Sequence, residues 1–567
     1  MCGIAAFFAY RSSAAAPRRE ELEAVTARMI PRGPDAGGVW ISDDGRVGLS
    51  SRRLAIIDLS PEGTQPMWDT AGELAVVFNG EIYNYAELRA ALERGGARFH
   101  SRTDTEVLLE LYRRDGERML GLLRGMYAFA IWDARARRMF VARDPYGIKP
   151  LYLADDGGTI RLASEVKALL AGGAVSGALD PAGAAGFFLT GSVPEPFTIR
   201  RDVTAIEAGT SFFIDEERGR SEVRRHYSIA EVFCEARSES LVDPGVFLRE
   251  RIDESVRHHL VADVPVGVFL SAGVDSSALT QLAARYGPLH TFTLASAHLD
   301  EAPLAERFAR EHGTQHTTRT VSREEFLGDL PRIFERMDQP TIDGVNTWFI
   351  SKAVHEAGVK VALSGVGGDE LFGSYPSFTN VPAMVNFPRL AHLAAVARRR
   401  PKAALIPAIG RTYGGAYLVQ RGLFPPDELP EILGADMARE GLERLALLDR
   451  WNGVLHPEPH SAFGRVATLE ASLYMRNQLL RDADWASMAH SVEVRTPLVD
   501  AWLLRQLAPV LLRGDGKQVL ASMLPRYLRT RPKTGFFVPL KDWMDLPPDG
   551  TSTRMRSWAR RVWEAFA

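Results

Sequence analysis

The spacing of apolar residues changes near residue 240, and this change constrains the fold more than any other feature of the sequence. Before it, short apolar segments such as 74–78, 126–132 and 139–142 are bounded by turn residues, as strands are. Two further stretches, 86–94 and 104–113, carry apolar residues at helical spacing. The first part of the chain is therefore predicted to combine strands with a few helices.

Beyond residue 240 the pattern is a strand, a glycine-rich turn and a helix, and it repeats. Segment 264–270 is an almost continuous apolar run, typical of a buried parallel strand, and 276–285 follows it with helical spacing. Segments 291–294 and 360–363 are predicted as further strands. This alternation favours a doubly wound α/β sheet, and the remaining chain is predicted to be largely helical.

The length of the chain, 567 residues, also argues for two domains, because a domain usually holds about 100–200 residues around one core. A polar, poorly periodic stretch separates the two patterns. We therefore predict a first domain at 1–215, a linker at 216–240 and a second domain at 241–567.

Composition narrows the range of partners. The net charge is −3, so the sequence gives no electrostatic reason to expect nucleic acid or an anionic membrane as a partner. Two cysteines cannot form a disulfide framework and fit a reducing cytoplasm. There is no run of about 18 apolar residues, and no basic segment precedes the apolar start, so we expect neither a membrane span nor a secretion signal.

Cys2 directly follows the initiator Met1. The cysteine side chain is small, so we expect removal of Met1, which would place a thiol and a free α-amine on one residue. An α-amine with a pKa of about 7.7–8.0 can act as the base for the thiol. A Met-Cys start alone most often has no function, so this arrangement needs support from the segments that follow.

That support comes from four segments in a fixed order: 32–35 (Arg-Gly-Pro-Asp), 51–56 (Ser-Arg-Arg-Leu-Ala-Ile), 78–84 (Phe-Asn-Gly-Glu-Ile-Tyr-Asn) and 102–106 (Arg-Thr-Asp-Thr-Glu). Taken singly, an Asn-Gly pair is a common turn and a pair of carboxylates is usually solvated. Together, behind Cys2, they resemble the class II glutamine amidotransferase domain, the glutaminase half of asparagine synthetase. The resemblance implies an α+β N-terminal nucleophile (Ntn) domain, an αββα sandwich.

The resemblance also implies a role for each matched residue. Arg53 would hold the α-carboxylate of glutamine, since a planar guanidinium suits a carboxylate. Glu81 and Asp104 would hold the α-ammonium group. Asn79 and the Gly80 N–H would form the oxyanion hole, with Cys2 as nucleophile, because neutral donors suit the charge that develops in the transition state.

The segment 269–277 (Phe-Leu-Ser-Ala-Gly-Val-Asp-Ser-Ser) lies between a predicted strand and a predicted helix. Small residues allow close approach to a phosphate, and the helix N-terminus attracts it. No Gly-Lys-Ser/Thr follows, so this is not a Walker A loop. It resembles the pyrophosphate loop of N-type ATP pyrophosphatases, which usually have glycine where this chain has Ala272. We expect the alanine to narrow the loop slightly and to be tolerated.

Four later segments, 364–373, 480–484, 487–500 and 531–536, resemble the signature of the C-terminal domain of asparagine synthetase. ATP is the implied substrate and Mg²⁺ the implied cofactor. The implied adenine site lies between Phe269 and Leu294. Other implied nucleotide contacts are Ser271, Gly273, Ser276, Ser364 and Gly365. Asp275 and Asp369 would bind Mg²⁺, and Lys533 would neutralise the pyrophosphate and the acyl-adenylate transition state.

The acceptor side departs from the asparagine-forming pattern. Val366 stands where such enzymes commonly have an acid, and Trp485 stands where a basic residue is usual. The candidate acceptor-side residues are Val366, Asp482, Asp484, Trp485 and Glu493. One interpretation is an acceptor less polar than free aspartate, as in a specialised biosynthetic or surface-polymer pathway; the other is drift among true asparagine synthetases.

The function implied is transfer of ammonia from glutamine to a carboxylate that ATP has adenylated, with aspartate as the first candidate acceptor. An intramolecular cyclase of the β-lactam or lasso-peptide synthetase type would have lost its glutaminase, and the retained Cys2, Arg53, Asn79 and Asp104 argue against it. A non-catalytic relative would be expected to have lost Asp275 or Lys533. A homodimer is compatible with the resemblance.

Overall fold

The structure is a computed structural model that describes residues 2–237, 243–295, 301–397, 402–529, 539, 543, 544 and 553–567. Its first half carries thirteen strands among the described residues. They are β1 Cys2–Ala9, β2 Ala36–Ile41, β3 Val47–Arg53, β4 Met67–Trp68, β5 Leu74–Ile82, β6 Gly125–Asp133, β7 Arg138–Arg143, β8 Tyr152–Asp155, β9 Thr159–Ala163, β10 Thr204–Ala205, β11 Thr210–Asp215, β12 Gly219–Arg220 and β13 Arg224–Arg225.

These strands form two antiparallel sheets. The first sheet has the order β10-β8-β9-β1-β3-β2, and the second has the order β12-β11-β7-β6-β5-β4, with β13 paired to β11. Strand β1 shows why the sheets stack. Ile4, Ala6 and Phe8 pack in the core shared with the second sheet, whereas Ala5 and Phe7 pack against helices on the outer face. This alternation builds the predicted αββα sandwich.

Helices lie between these strands and make up most of the second half of the chain. In chain order they are α1 Arg19–Arg28, α2 Tyr85–Arg94, α3 Asp104–Asp115, α4 Val166–Ala171, α5 Pro181–Thr190, α6 Ile229–Glu235, α7 Pro244–His259, α8 Val274–Ala283, α9 Ala302–Glu311, α10 Arg323–Arg336, α11 Val345–Glu356, α12 Gly368–Phe372, α13 Ser377–Asn386, α14 Pro388–Ala397, α15 Ile406–Ile409, α16 Tyr413–Arg421, α17 Leu429–Leu433, α18 Ala435–Leu445, α19 Leu447–Gly453, α20 Ala462–Leu469, α21 Arg481–Met488, α22 Ala501–Leu511, α23 Gly516–Ser522, α24 Arg526–Arg529 and α25 Thr553–Glu564. A π-helix, Glu470–Leu480, joins α20 to α21.

The second half is built on one parallel sheet. Its strands are β14 Val266–Phe269, β15 His290–Ala295, β16 Gln315–Thr320, β17 Val361–Leu363 and β18 Glu493–Arg495, in the order β16-β15-β14-β17-β18. Helices cover both faces, since α7, α8 and α9 pack on one side and α10 and α11 on the other. The doubly wound α/β fold with a largely helical C-terminal part is therefore confirmed.

The predicted linker, 216–240, contains β12 and β13, which pair with β11, and helix α6, whose Ile229 and Phe233 are buried. Residues 238–240 lie outside the described part of the chain. The domain boundary at this point stays a prediction. Among the described residues, no helix combines the length and the apolar character needed to cross a membrane.

Candidate active sites

The first site is built around Cys2 at the start of β1. Strand register places Arg53 of β3 directly opposite Cys2, and the backbone nitrogen of Cys2 donates to Asn79 Oδ1 at 3.1 Å. Burial raises the pKa of the Cys2 thiol above its ordinary value. A buried, protonated thiol needs a base before it can attack, and the sequence predicts that the α-amine of Cys2 is this base.

Arg53 is fixed by backbone carbonyls rather than by a carboxylate. Its Nη1 donates to Ser60 O at 2.9 Å, and its Nη2 donates to Ile57 O at 3.2 Å and to Asp58 O. The loop 57–60 therefore holds the guanidinium in one orientation. A positioned guanidinium suits the carboxylate of a small ligand.

Glu81 at the end of β5 and Asp104 at the start of α3 line the same small pocket as Cys2 and Arg53. Burial raises the pKa of Asp104 to about 6, although Ile82 N donates to its Oδ2 at 2.8 Å. Burial also raises the pKa of Glu81, and the nearby carboxylates of Glu493 and Asp104 raise it further. Two buried carboxylates of this kind are stabilised by a cation, and an α-ammonium group would supply it.

Asn79 and Gly80 occupy the stretch of β5 beside the nucleophile. Asn79 Nδ2 is buried and has no hydrogen-bond partner among the residues that the structure describes, so this donor is available. A Cβ at position 80 would lie 2.1 Å from Met126 O, which explains why glycine stands there. The structure thus brings together all six residues predicted for the glutaminase site.

The second site is a cavity of about 490 Å³ at the carboxyl ends of the parallel strands. Ten of the predicted nucleotide, metal and acceptor residues line it: Phe269, Ser271, Gly273, Asp275, Ser276, Ser364, Gly365, Val366, Asp369 and Asp482. The carboxyl edge of a doubly wound sheet is where ligands of this fold bind. The geometry therefore matches a nucleotide site.

The loop between β14 and α8 is held by its own hydroxyl groups. Ser276 Oγ accepts a hydrogen bond from Ser271 N at 3.1 Å. Ala272 has φ of 51°, in the left-handed region that favours glycine. The preference for glycine at this position is therefore conformational, and an alanine in this conformation costs about 1–2 kcal/mol. The sequence analysis expected the alanine to narrow the loop slightly, but narrowing is not the main effect.

Lys517 is a site residue that the sequence analysis missed. Its Nζ donates to both oxygens of Asp275 at 2.6 Å and to Asp369 Oδ1 at 2.7 Å. Burial lowers the pKa of Lys517, but the two carboxylates outweigh it and hold the pKa above its ordinary value. Lys517 is the second residue of α23 and lies far along the chain from both acids. The sequence offered only a Gly516-Lys517 pair at the start of a helix as a sign that this lysine could belong to the site.

Several predicted residues lie elsewhere. Leu294 does not line the cavity; it packs in the same core cluster as Phe269. Trp485 is buried beneath the cavity and donates from Nε1 to Asp482 Oδ1 at 2.8 Å. Lys533 is outside the described residues. The roles proposed for these residues stay predictions.

Asp484 and Glu493 lie between the two sites rather than in the cavity. Asp484 accepts hydrogen bonds from Arg32 at 2.7 and 3.0 Å, and Glu493 Oε1 accepts one from Arg495 Nε at 2.5 Å. Arg495 Nη2 also lies 3.7 Å from Glu81 Oε2 in the glutaminase pocket. Both carboxylates thus belong to the contact between the domains, and an acceptor role for them stays a prediction.

Comparison with known proteins gives matches over two thirds or more of this chain. A family model described as a glutamine amidotransferase domain matches residues 1–227, and one described as asparagine synthase matches residues 247–554. The chain is 31% identical to "Asparagine synthetase [glutamine-hydrolyzing] 1" of Bacillus subtilis, over 99% of this chain and 90% of that protein. It is 30% identical to "Asparagine synthetase B [glutamine-hydrolyzing]" of Escherichia coli, over 67% of this chain and 66% of that protein.

A further relative is "Amidase chry2" of Gibberella zeae, 28% identical over 88% of this chain and 81% of that protein. Among solved structures, a Bacillus subtilis glutamine phosphoribosylpyrophosphate amidotransferase covers 64% of this chain and 81% of its own, at 15% identity and a TM-score of 0.30, a likeness too small to carry an argument. The near-complete matches show that the chain belongs to the asparagine synthase (glutamine-hydrolysing) family and is a glutamine-dependent ligase that uses ATP to form an amide.

Proposed function

We propose that the acceptor is the side-chain carboxylate of an aspartate with a free α-ammonium group, in the simplest case free aspartate, which gives asparagine. The observation that carries this proposal is a pair of acids, Asp343 and Asp482, in the lining of the ATP cavity. Neither has an ion-pair partner among the described residues. Burial raises the pKa of both, and the charge of Asp343 raises that of Asp482 further. An α-ammonium group would relieve this repulsion.

In the proposed glutaminase reaction, Cys2 attacks the side-chain amide of glutamine. Arg53 holds the α-carboxylate, and Glu81 with Asp104 holds the α-ammonium group, so the amide carbon is placed against the thiol. Asn79 Nδ2 and the Gly80 N–H stabilise the oxyanion. Ammonia leaves, and water hydrolyses the glutamyl thioester.

In the proposed ligase reaction, the acceptor carboxylate attacks the α-phosphorus of ATP, and pyrophosphate leaves. Ammonia then displaces AMP from the acyl-adenylate. The loop 271–276 and the N-terminus of α8 receive phosphate oxygens, as helix N-termini do. Lys517 neutralises the pyrophosphate that leaves.

We also propose Mg²⁺ as the metal that accompanies ATP. Asp275 and Asp369 face one cationic atom, Lys517 Nζ, so their carboxylates already converge on a positive charge. Two carboxylates together with phosphate oxygens are the ligands that Mg²⁺ usually takes in such sites. The residues present therefore fit the ion, which would supply further neutralisation of the phosphates.

The proposal also includes a domain boundary, a cellular location and an oligomeric state. We place the domain boundary at 216–240. A cytoplasmic location rests on the cysteine content, since two cysteines need no oxidising compartment. A homodimer rests only on the family resemblance, and sedimentation of the purified chain would test it.

The acceptor is tested by measuring pyrophosphate release with ATP, ammonia and aspartate. The proposal expects kcat/KM for aspartate in the ordinary enzyme range, about 10⁴ M⁻¹s⁻¹ or above. Asp482→Asn should raise KM for aspartate much more than KM for ATP. Asp329→Asn, which removes an acid paired to Lys352 outside the cavity, is the control. Absence of aspartate-dependent pyrophosphate release from the native enzyme would refute the proposal.

A further inference from the structure

A second cavity of about 380 Å³ adjoins the ATP cavity and is not used by the reaction described so far. The two cavities share Asp343 and Asn346 in their linings, so they meet at these residues. We call the second cavity the distal chamber. Its volume lies within the range of cavities that bind small molecules, about 300–1,000 Å³. Its walls include Tyr417, Leu423, Trp451, Leu473 and Tyr474.

The walls of the distal chamber are mainly aromatic and aliphatic, and the arginine among them is paired with a carboxylate. Neutral polar residues complete the lining: Thr190, Ser192, Asn346, Asn477 and Gln478. Arg421 donates to Glu470 from Nε at 3.2 Å and from Nη2 at 2.8 Å, and Glu470 is fully buried. The guanidinium also lies over the rings of Tyr375 and Tyr474, at 4.3 and 4.0 Å. The chamber therefore offers surface for an apolar or aromatic group rather than a net charge.

The junction between the cavities is anionic. Asp343 borders both cavities and accepts a hydrogen bond from Gly344 N at 2.9 Å. Asp482 is held beside it by neutral donors, Thr341 Oγ1 and Trp485 Nε1, each at 2.8 Å. A ligand that spans both cavities therefore meets the nucleotide loop first, then two carboxylates, then an apolar chamber. The complementary order of groups in the ligand is carboxylate, ammonium, apolar body.

We propose that the preferred acceptor is an aspartyl compound that carries an apolar substituent joined through its α-carboxyl group, with that substituent in the distal chamber. This rests on the proposed function and deepens it, because free aspartate is the smallest member of the class. The β-carboxylate is adenylated with loss of pyrophosphate, and ammonia then displaces AMP, so the chemistry is unchanged. Val366, an apolar residue in the ATP cavity, is consistent with an acceptor that lacks a second free carboxylate.

The probes are free aspartate and the C-terminal amide of the dipeptide aspartyl-phenylalanine, which keeps the β-carboxylate and the α-ammonium, adds a benzyl group and has no second carboxylate. Pyrophosphate release is measured with ATP and ammonia, so that the glutaminase does not enter the result. We expect kcat/KM for the dipeptide to exceed that for aspartate by about tenfold or more, since a few buried methylenes discriminate by that factor. The C-terminal amide of aspartyl-glycine, without the ring, should resemble aspartate.

A variant locates the effect in the distal chamber. Leu423→Trp fills part of the chamber and should reduce the preference for the dipeptide over aspartate by about tenfold. Leu448→Trp is the matched control, because Leu448 is also partly buried against the same core but does not line the chamber, and the preference should not change.

The outcomes separate this inference from the proposed function. If the native enzyme uses aspartate but does not prefer the dipeptide, the distal chamber is not an acceptor subsite and only this inference fails. If Leu423→Trp lowers kcat/KM for both probes equally, the chamber is an entry path, and the inference fails as well. If neither probe releases pyrophosphate, the proposed function itself is wrong. The comparison of probes on the native enzyme does not depend on whether a variant folds.

Discussion

Arg32 of the first domain connects the nucleophile of one site to a helix of the other. Its guanidinium donates to both carboxylate oxygens of Asp484 on α21, at 2.7 and 3.0 Å, and its Nε donates to the backbone oxygen of Cys2 at 3.3 Å. Arg32 and Asp484 are 2% and 5% exposed. Helix α21 also carries Asp482, which lines the ATP cavity. This buried ion pair thus connects a residue in contact with Cys2 to a helix that lines the second cavity.

Removing one partner of this pair should both destabilise the protein and uncouple its reactions. Asp484→Asn removes the carboxylate that accepts two hydrogen bonds from Arg32 and leaves the buried guanidinium with Glu165, 3.4 Å away, as its ion-pair partner. Loss of one partner of a buried pair costs up to about 3–5 kcal/mol. We expect a lower free energy of unfolding and more glutamate released per AMP formed. The control is Glu335→Gln, which removes the exposed pair with Arg28 that also bridges the domains and contributes about 0–1 kcal/mol. Equal effects of the two substitutions would contradict this account.

Cys2→Ala should abolish glutamine use and preserve synthesis from ammonia. The thiol lies in the first domain, and the residues that contact the nucleotide cavity lie in the second. Assays with glutamine and with ammonium salts, followed by AMP formation, check this. Cys234→Ala, at the other cysteine of the chain, is the matched control and should retain both activities. Loss of the ammonia-dependent reaction in Cys2→Ala would show that the two reactions are not separable.

The glutaminase should depend on pH through Asp104. Burial raises its pKa to about 6, so the carboxylate that we propose to hold the ammonium group of glutamine is lost as the pH falls through that value. We expect kcat/KM for glutamine to decline by up to about tenfold per pH unit below pH 6, as one essential carboxylate predicts.

Asp104→Asn supplies the check on that assignment. The substitution removes a negative charge that raises the pKa of Glu81, so the acid limb should move to lower pH while kcat/KM at pH 8 falls. An acid limb that stays at the same pH in the variant would show that another group controls it.

Lys517→Met should remove pyrophosphate formation and leave glutaminase activity largely intact. The ammonium of Lys517 is the charge on which Asp275 and Asp369 converge, and a methionine fills the space without the charge. Pyrophosphate release and glutamate release are measured separately. Lys352→Met is a matched control, since Lys352 also pairs with two carboxylates, Glu325 and Asp329, at 2.9 and 2.8 Å outside the cavity. Pyrophosphate formation at the native rate in Lys517→Met would exclude the assigned role.

The sequence predicted the parts of this protein that depend on local patterns. Apolar alternation predicted β5, β6 and β7, and glycine-rich turns after apolar runs predicted the loops beside Asp275 and Asp369. Ordered motifs also predicted the six residues that the structure brings together around Cys2. In these cases the residues that lie together in the structure are either neighbours in the chain or members of one ordered set of family motifs.

Contacts between distant parts of the chain could not be predicted in the same way. Lys517 is one lysine near the start of a short helix, 148 residues after Asp369, and no spacing rule links the two. Asp484 was placed on the acceptor side from the family resemblance, but it lies two residues after Asp482, on a different face of α21, and pairs with Arg32, 452 residues away. The left-handed conformation of Ala272 likewise follows from the packing around its loop rather than from residue type.

The central claim is that nitrogen from glutamine, released at Cys2, reaches a carboxylate adenylated in the other domain. Glutamine labelled with ¹⁵N in its side-chain amide, supplied with ATP and aspartate, tests it most directly. The account predicts that the product amide carries the label and that one AMP and one pyrophosphate form for each amide. Formation of ADP and phosphate instead, or an unlabelled amide, would contradict it.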